Sequence, residues 1–300
     1  YRDVSQTKPM AFDTVFQAMS MTKPLAAAAV CLLVERGLVR LNDPVQRYLP
    51  AFDRRIRVRH LLDHTSGIPS DMPVSDEERA KWTLAEFVDL VAKQPLLTDP
   101  GTTERYSGPA ISTAGRIVEI VSGESFEQFL RKELFEPLKM RASWMFLPPT
   151  ERARLAEVPA LESGRLVPTS DDPARPGARF ANPAGGLYST AEDLARWHQA
   201  MLDGGKPVLS KATVDRMIRL PETRPAGAGE EFGFGLGWSV ARKRTSGLLP
   251  AGTFGHSGAF GTYGWADSST GIVGVFLAQR LYGAEREIDV FRSMVYAALR

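Results

Sequence analysis

Apolar positions follow a helical period through the first two thirds of the chain and a strand period in the last. From Pro24 to Val34 every residue is apolar, which predicts a buried central helix rather than a surface one. The pair Arg36-Gly37 closes it, as a basic residue and a glycine commonly do. Val45 to Tyr48 forms another helical turn, and Val58 to His64 reads as a short helix stopped by Gly67. Thr83-Leu84-Ala85-Glu86 and Ser125-Phe126-Glu127-Gln128 are capping boxes that open helices to about Lys93 and Leu134. Between them Ile111, Ala114, Ile117, Val118 and Val121 repeat at three and four, the pattern of an amphipathic helix ending at Gly123. Thr190 opens a helix to about Leu202, on which His198 is expected to be exposed, and Ser210 opens one through Ile218.

From Leu147 to Pro183 the periodicity fails among scattered prolines, and a connection this long predicts a lid or pocket wall. Beyond it, Phe232–Val240, Gly252–His256, Tyr263–Asp267 and Gly271–Ala278 are rich in aromatic and β-branched residues and read as antiparallel strands. Asp267 to Gly271 reads as a hairpin turn, and a final helix spans Glu287–Leu299 with Ile288, Phe291, Val295 and Leu299 on one face.

Composition narrows the classes of function. The net charge of +2 gives no reason to expect nucleic acid or an anionic membrane as partner, and Arg54, Arg55, Arg57 and Arg59 read as a solvated face. The single cysteine, Cys31, excludes an internal disulfide and reads as core. The longest apolar run is too short to span a bilayer, so a soluble chain is expected. The sequence starts at Tyr1 with no initiator methionine, as if a leader had been removed, so the compartment and the oligomeric state stay open.

The candidate chemistry begins at Ser20-Met21-Thr22-Lys23. Residues three apart share a helix face, so the Ser20 hydroxyl and the Lys23 amine should stand side by side. A serine becomes a nucleophile when a base takes its proton, and a lysine is a base only with a strongly depressed pKa. Burial and the positive end of a helix both push that way. His60 and His64, four apart, invite a zinc reading, but the glutamate of H-E-x-x-H is absent and no third ligand is apparent. His64 and Ser66 are read as capping a turn.

Taken in order, Ser20-Met21-Thr22-Lys23, Tyr106-Ser107 and His256-Ser257-Gly258 resemble the motifs of the penicillin-recognising serine hydrolases. More narrowly, the chain resembles class C β-lactamase-like esterases and the related D-amino-acid peptidases. His64-Thr65-Ser66-Gly67, Pro183 to Thr190 and Phe234 to Trp238 extend the resemblance over nearly the whole chain. It implies an α+β fold of the β-lactamase/transpeptidase type, an antiparallel sheet flanked by helices with an inserted, mostly helical region. Residues 1–18 and 226–300 would form the sheet-containing region and 19–225 the helical one, with the lid-like loop at 147–183. It also implies strands ahead of the serine. Only 19 residues precede Ser20, so a partial or processed chain with one open sheet edge is expected.

The resemblance further implies roles. Ser20 would be the nucleophile, Lys23 its base, and Tyr106 the relay to the leaving group, its pKa lowered by the nearby cation. The oxyanion hole would be the backbone N–H groups of Ser20 and Ala259, with no metal and no cofactor required. Where β-lactamases of this type place an asparagine two residues after the tyrosine this chain has Gly108, and where they place the lysine of Lys-Thr-Gly it has His256. A neutral histidine and a missing amide weaken recognition of β-lactams and peptides. A short-chain carboxylic ester is the expected small-molecule substrate, with D-peptide or weak β-lactam hydrolysis as alternatives and a non-catalytic scaffold as a third. Ser257, Gly258, Phe260 and Tyr263 are candidate substrate contacts, the two aromatics as walls of an acyl pocket. An α/β-hydrolase is excluded, because Gly255-His256-Ser257-Gly258-Ala259 lacks the closing glycine of G-x-S-x-G.

Overall fold

The computed structural model describes residues 1–169, 172, 174–223, 225–246, 248–281 and 284–299, and of Asp76 the backbone. Ser170, Asp171 and Pro173 of the expected lid, and Arg224, Gly247, Tyr282, Gly283 and Arg300, lie outside the described residues. A short strand β1 (Phe16–Gln17) leads through a 3-10 turn, Met19–Thr22, into helix α1 (Lys23–Glu35). Then come α2 (Val58–Leu62), α3 (Asp76–Ala80), α4 (Leu84–Val91), α5 (Gly108–Ser122) and α6 (Phe126–Leu130). Strands β2 (Ala160–Glu162), β3 (Arg165–Val167) and β4 (Tyr188–Ser189) precede α7 (Ala191–Leu202) and α8 (Lys211–Met217). Strands β5 (Phe232–Phe234), β6 (Ser239–Ala241), β7 (Phe254–Gly258), β8 (Thr262–Asp267) and β9 (Ile272–Leu277) and helix α9 (Glu285–Ala297) complete the chain.

Helix α1 is apolar all round because it has no solvent side. Every residue from Leu25 to Val30 is fully buried, with α5 and α6 packed against it. The Cys31 thiol lies in the same core, where burial pushes it up to about 12, so it is unreactive. The capping boxes at Thr83 and Ser125 both form. The helix after Val58 stops at Leu62, earlier than its apolar residues suggest, because His64 turns left-handed with φ +59°. Helix α3 carries no apolar periodicity to announce it and stands on its cap alone, Ser75 accepting from Glu78 N–H. Within 147–183 the chain holds a 3-10 turn at Pro149–Arg154 and the β2–β3 hairpin, where the sequence suggested no regular structure.

The main sheet is an antiparallel meander in the order β5-β6-β7-β8-β9. The stretch expected as one strand from Phe232 to Val240 is two, because the chain reverses between Phe234 and Ser239, with Gly237 at φ +76°. All five strands come from residues 232–277, while β1 pairs with β4 and meets the sheet through side chains. Thr262 Oγ1 donates to Ala18 O at 2.9 Å, and the Gln279 amide brackets the Gln17 backbone. One sheet face packs on the helical core through Phe254 and Ala266. The other carries Tyr263 and Trp265 under Ile288 of α9, with the Trp265 ring lying over Gly274.

The reversal at Gly237 also bears on the site. Its N–H donates to Leu62 O at 2.9 Å, and a Cβ there would stand 2.5 Å from Ala27 Cβ and 3.0 Å from Lys23 O. Gly237→Ala therefore meets both a forbidden φ and a backbone it cannot displace. We expect a loss of about 2–3 kcal/mol, read as a lower urea midpoint at unchanged slope. An unaltered midpoint would show that the turn yields.

Candidate active site

The turn before α1 is held in an unusual shape. Met19 has φ +52°, a conformation that costs a non-glycine residue on the order of 1 kcal/mol. Two ties hold it: the Thr22 hydroxyl donates to Met19 O at 2.6 Å and accepts from Leu187 N–H at 3.1 Å. Ser20 follows directly, half-buried. Lys23, 2% exposed, reaches back so that Nζ lies 2.9 Å from Ser20 Oγ and 2.7 Å from Ala184 O. Desolvation by burial brings the Lys23 amine down to about 7. The helix start is not needed to explain the shift. As a neutral amine Lys23 donates to the Ala184 carbonyl and offers its lone pair to the Ser20 hydroxyl, the arrangement a serine nucleophile requires.

Tyr106 stands on the far side of Lys23, whose Nζ is 4.7 Å from its ring centroid. The residue is 43% exposed, yet the atoms packed around its hydroxyl push the phenol up to about 12, against a smaller lowering by a hydrogen bond to Ser20. The expectation of a lowered Tyr106 pKa is thus reversed: burial outweighs the Ser20 hydrogen bond, and the neighbouring Lys23 amine carries only about half a charge at pH 7. A neutral phenol next to Ser20 is a proton donor.

His256 lies at the third corner, its ring centroid 6.1 Å from that of Tyr106. Burial, helped by the Lys23 charge, takes the imidazole down to about 3, so it is neutral at pH 7. A carbonyl can only accept, so the 2.7 Å contact between His256 Nδ1 and Ser257 O fixes the proton on Nδ1. Nε2 is left as a buried lone pair with no hydrogen-bond partner among the described residues. Strand β7 approaches the serine turn closely because residue 258 is glycine: a Cβ there would lie 2.4 Å from Ala18 O and 3.0 Å from Met19 Cβ. Ala259 follows Gly258 as an exposed residue of the turn after β7.

Ser20, Lys23, Tyr106, His256 and Gly258 thus converge. Tyr263 does not join them. It pairs with Ser257 on the strand face opposite His256, stacks on Trp265 at 5.5 Å and lies under Arg292, whose guanidinium is 5.2 Å from its ring. An acyl-pocket wall at Tyr263 is therefore corrected to core packing. Phe260 sits half-buried in the turn between β7 and β8. His198 is also corrected: it is 2% exposed, hydrogen-bonded to Leu194 O at 2.7 Å, and seated over Gly264, where no side chain blocks it. Residue spacing did not reveal Ala184 O, the second anchor of Lys23, or Phe234, whose ring packs on His64 and Tyr106. Both lie in glycine-containing stretches, Pro183–Tyr188 and Phe234–Trp238, that bring backbone close to α1.

His60 and His64 are not paired ligands, since Nδ1 of His60 accepts Arg57 N–H and Nδ1 of His64 accepts Ser107 N–H. Among the described residues no three His, Cys, Asp or Glu side chains gather as a metal site, and no helix is long and apolar enough to cross a membrane.

A serine beside a buried lysine at the start of a core helix, facing a tyrosine and the end of a sheet strand, defines a serine hydrolase of the penicillin-recognising type. The chain belongs to the β-lactamase family, matching it over residues 1–299. It is 31% identical over 246 residues to a β-lactamase of Escherichia coli K12, covering 80% of this chain and 61% of that protein. It is 28% identical over 335 residues to esterase EstB of Burkholderia gladioli, covering 97% and 84%. The solved structure of EstCE1, described as a hydrolase with promiscuous acyltransferase activity, superposes with a TM-score of 0.83 at 25% identity over 99% of this chain and 88% of its own. The fold expected from the motifs, α+β of the β-lactamase/transpeptidase type, is the fold observed.

Proposed function

We propose that this serine hydrolase acts on carboxylic esters with short acyl chains. The observation that carries the reading is His256, a buried neutral imidazole where a carboxylate-binding cation would serve a β-lactam or a D-peptide. Gly108, without a side-chain amide, points the same way, as does the likeness to esterase EstB. A cavity of about 290 Å³ lies behind the serine turn, where Gly185 in its wall backs onto the Met19 carbonyl. Met145, Phe146, Leu147 and Phe180 give it an apolar side and Gln17, Arg152, Arg175 and Asn182 a polar one, and none of Ser20, Lys23, Tyr106 and His256 lines it, so the ester reading does not rest on it.

In this reading the Lys23 amine takes the Ser20 proton as Oγ attacks the ester carbonyl. The oxyanion is held by the backbone N–H groups of Ser20 and Ala259. The C–O bond to the alcohol breaks as Tyr106 passes a proton to the leaving oxygen, giving the acyl-enzyme. Water then attacks with the proton transfers reversed, releasing the acid and restoring Ser20.

Hydrolysis of p-nitrophenyl butyrate by the chain and by Ser20→Ala, beside a chromogenic cephalosporin, tests this. Ester turnover that vanishes with Ser20→Ala, with cephalosporin turnover slower by orders of magnitude, is expected. Faster cephalosporin turnover would replace the ester reading, and a folded chain that turns over neither substrate nor labels with a fluorophosphonate would leave the scaffold reading.

A further inference from the structure

We propose that His64 is the residue that positions Tyr106, an inference that rests on the reading of Tyr106 as proton donor to the leaving group. Tyr106 belongs to no helix or strand. It stands one residue ahead of Ser107, the N-cap of α5, so regular hydrogen bonding does not fix its backbone. His64 does so on both sides. Its carbonyl accepts Arg105 N–H at 2.8 Å and its Nδ1 accepts Ser107 N–H at 3.2 Å. Its ring lies against the Tyr106 ring with centroids 4.6 Å apart, and Phe234 closes on it at 4.5 Å.

One residue reaches both N–H groups because its backbone is left-handed at φ +59°, which brings its own carbonyl and its side chain toward the same segment. Two conditions follow. Residue 64 must tolerate φ > 0, and it must carry an acceptor close to the backbone. A protonated imidazole would meet Ser107 N–H with a second donor. Complete burial, with Lys23 and His256 nearby, holds His64 well below its usual pKa and keeps Nδ1 an acceptor. Asparagine meets both conditions, since it enters the left-handed region more readily than most residues and its Oδ1 takes the place of Nδ1. Phenylalanine keeps the ring and loses the acceptor.

The test compares His64→Phe and His64→Asn in the full chain, alone and combined with Tyr106→Phe, using p-nitrophenyl butyrate and rates normalised to fluorophosphonate-titrated sites. Misplacing a catalytic group by an ångström costs on the order of 100-fold. His64→Phe should therefore lower kcat by about that factor with KM changed less than about 3-fold, and His64→Asn should stay within about 5-fold of the parent. In the Tyr106→Phe background His64→Phe should cost nothing further, because a residue that acts only through the phenol has nothing left to position. If His64→Phe does not fold, His64→Gly, which suits the backbone, serves in the same cycle. An equal loss with and without the Tyr106 hydroxyl, or asparagine no better than phenylalanine, would make His64 a packing residue and overturn the proposal. Hydrolysis that survives Ser20→Ala would overturn the active-site reading itself, and the role of His64 with it.

Discussion

Lys23→Met and Lys23→Arg are both expected to lower ester turnover by about 10³- to 10⁴-fold, for different physical reasons. Methionine has no base to offer. Arginine has one that never loses its proton, since no protein environment deprotonates a guanidinium at working pH. The two should diverge in stability. Holding the parent lysine near neutrality at pH 7 costs the fold on the order of 5 kcal/mol, because its pKa falls from 10.5 to about 7. Methionine removes that cost while leaving the Ala184 carbonyl short of a donor, so a net gain of about 2 kcal/mol is expected. A melting temperature that rises as activity disappears would mark the lysine as strained for function. The pH profile carries the same sign. In the proposed mechanism Lys23 acts as base when deprotonated, so kcat/KM should rise tenfold per pH unit below about 7 and level off above it. With Tyr106 held up at about 12, no descending limb belongs to it in the accessible range. A profile flat through pH 7 would remove Lys23 from the role of base.

What could be read from the sequence was governed by range. Ser20 and Lys23 are three residues apart, and their juxtaposition follows from helix geometry alone. The caps at Thr83, Ser125 and Thr190 are equally local, and all three formed where their spacing placed them. Tyr106 and His256 entered only through order and resemblance, because 83 residues separate Tyr106 from Lys23 and nothing local says that they meet. The errors came where tertiary burial decided. His198 sits on a helix whose Glu192, Arg196 and Gln199 are exposed, and the glycine at 264, far along the chain, makes room for its ring. Tyr263 is one strand position out of phase with the cleft. Its nearness to His256 in sequence is real, but alternation along β8 sends it to the α9 side. The sign of the Tyr106 shift was missed for the same reason, because how much water a phenol loses cannot be read from spacing.

Acid should unfold this protein early, and the histidines are the reason. All four are buried and neutral: His60 and His198 are brought down to about 4 and His256 to about 3, while His64 lies well below 6.5. Desolvation is the first cause in each. An unfolded chain protonates them near 6.5, so between that pH and about 4 the unfolded state binds up to four more protons, and stability falls as pH falls. Two carboxyls oppose this. Burial raises Asp63 to about 6, so below pH 6 the folded state takes up a proton there that the unfolded state binds only near 3.8, and burial shifts Asp193 in the same direction. About two net protons remain, a slope of roughly 3 kcal/mol per pH unit, large against a total stability of about 5–15 kcal/mol. The acid midpoint is therefore expected between about pH 4 and 5, above the range in which the lowered carboxylates of Asp43, Asp53 and Asp267 begin to titrate. Tryptophan emission will report it, since Trp197 and Trp238 stack at 5.8 Å and His198 lies edge-on to Trp238 at 5.6 Å. A midpoint below 4 would mean that water reaches these imidazoles in the native state and that the burial assigned to His256 and His64, on which the neutral site depends, is too complete.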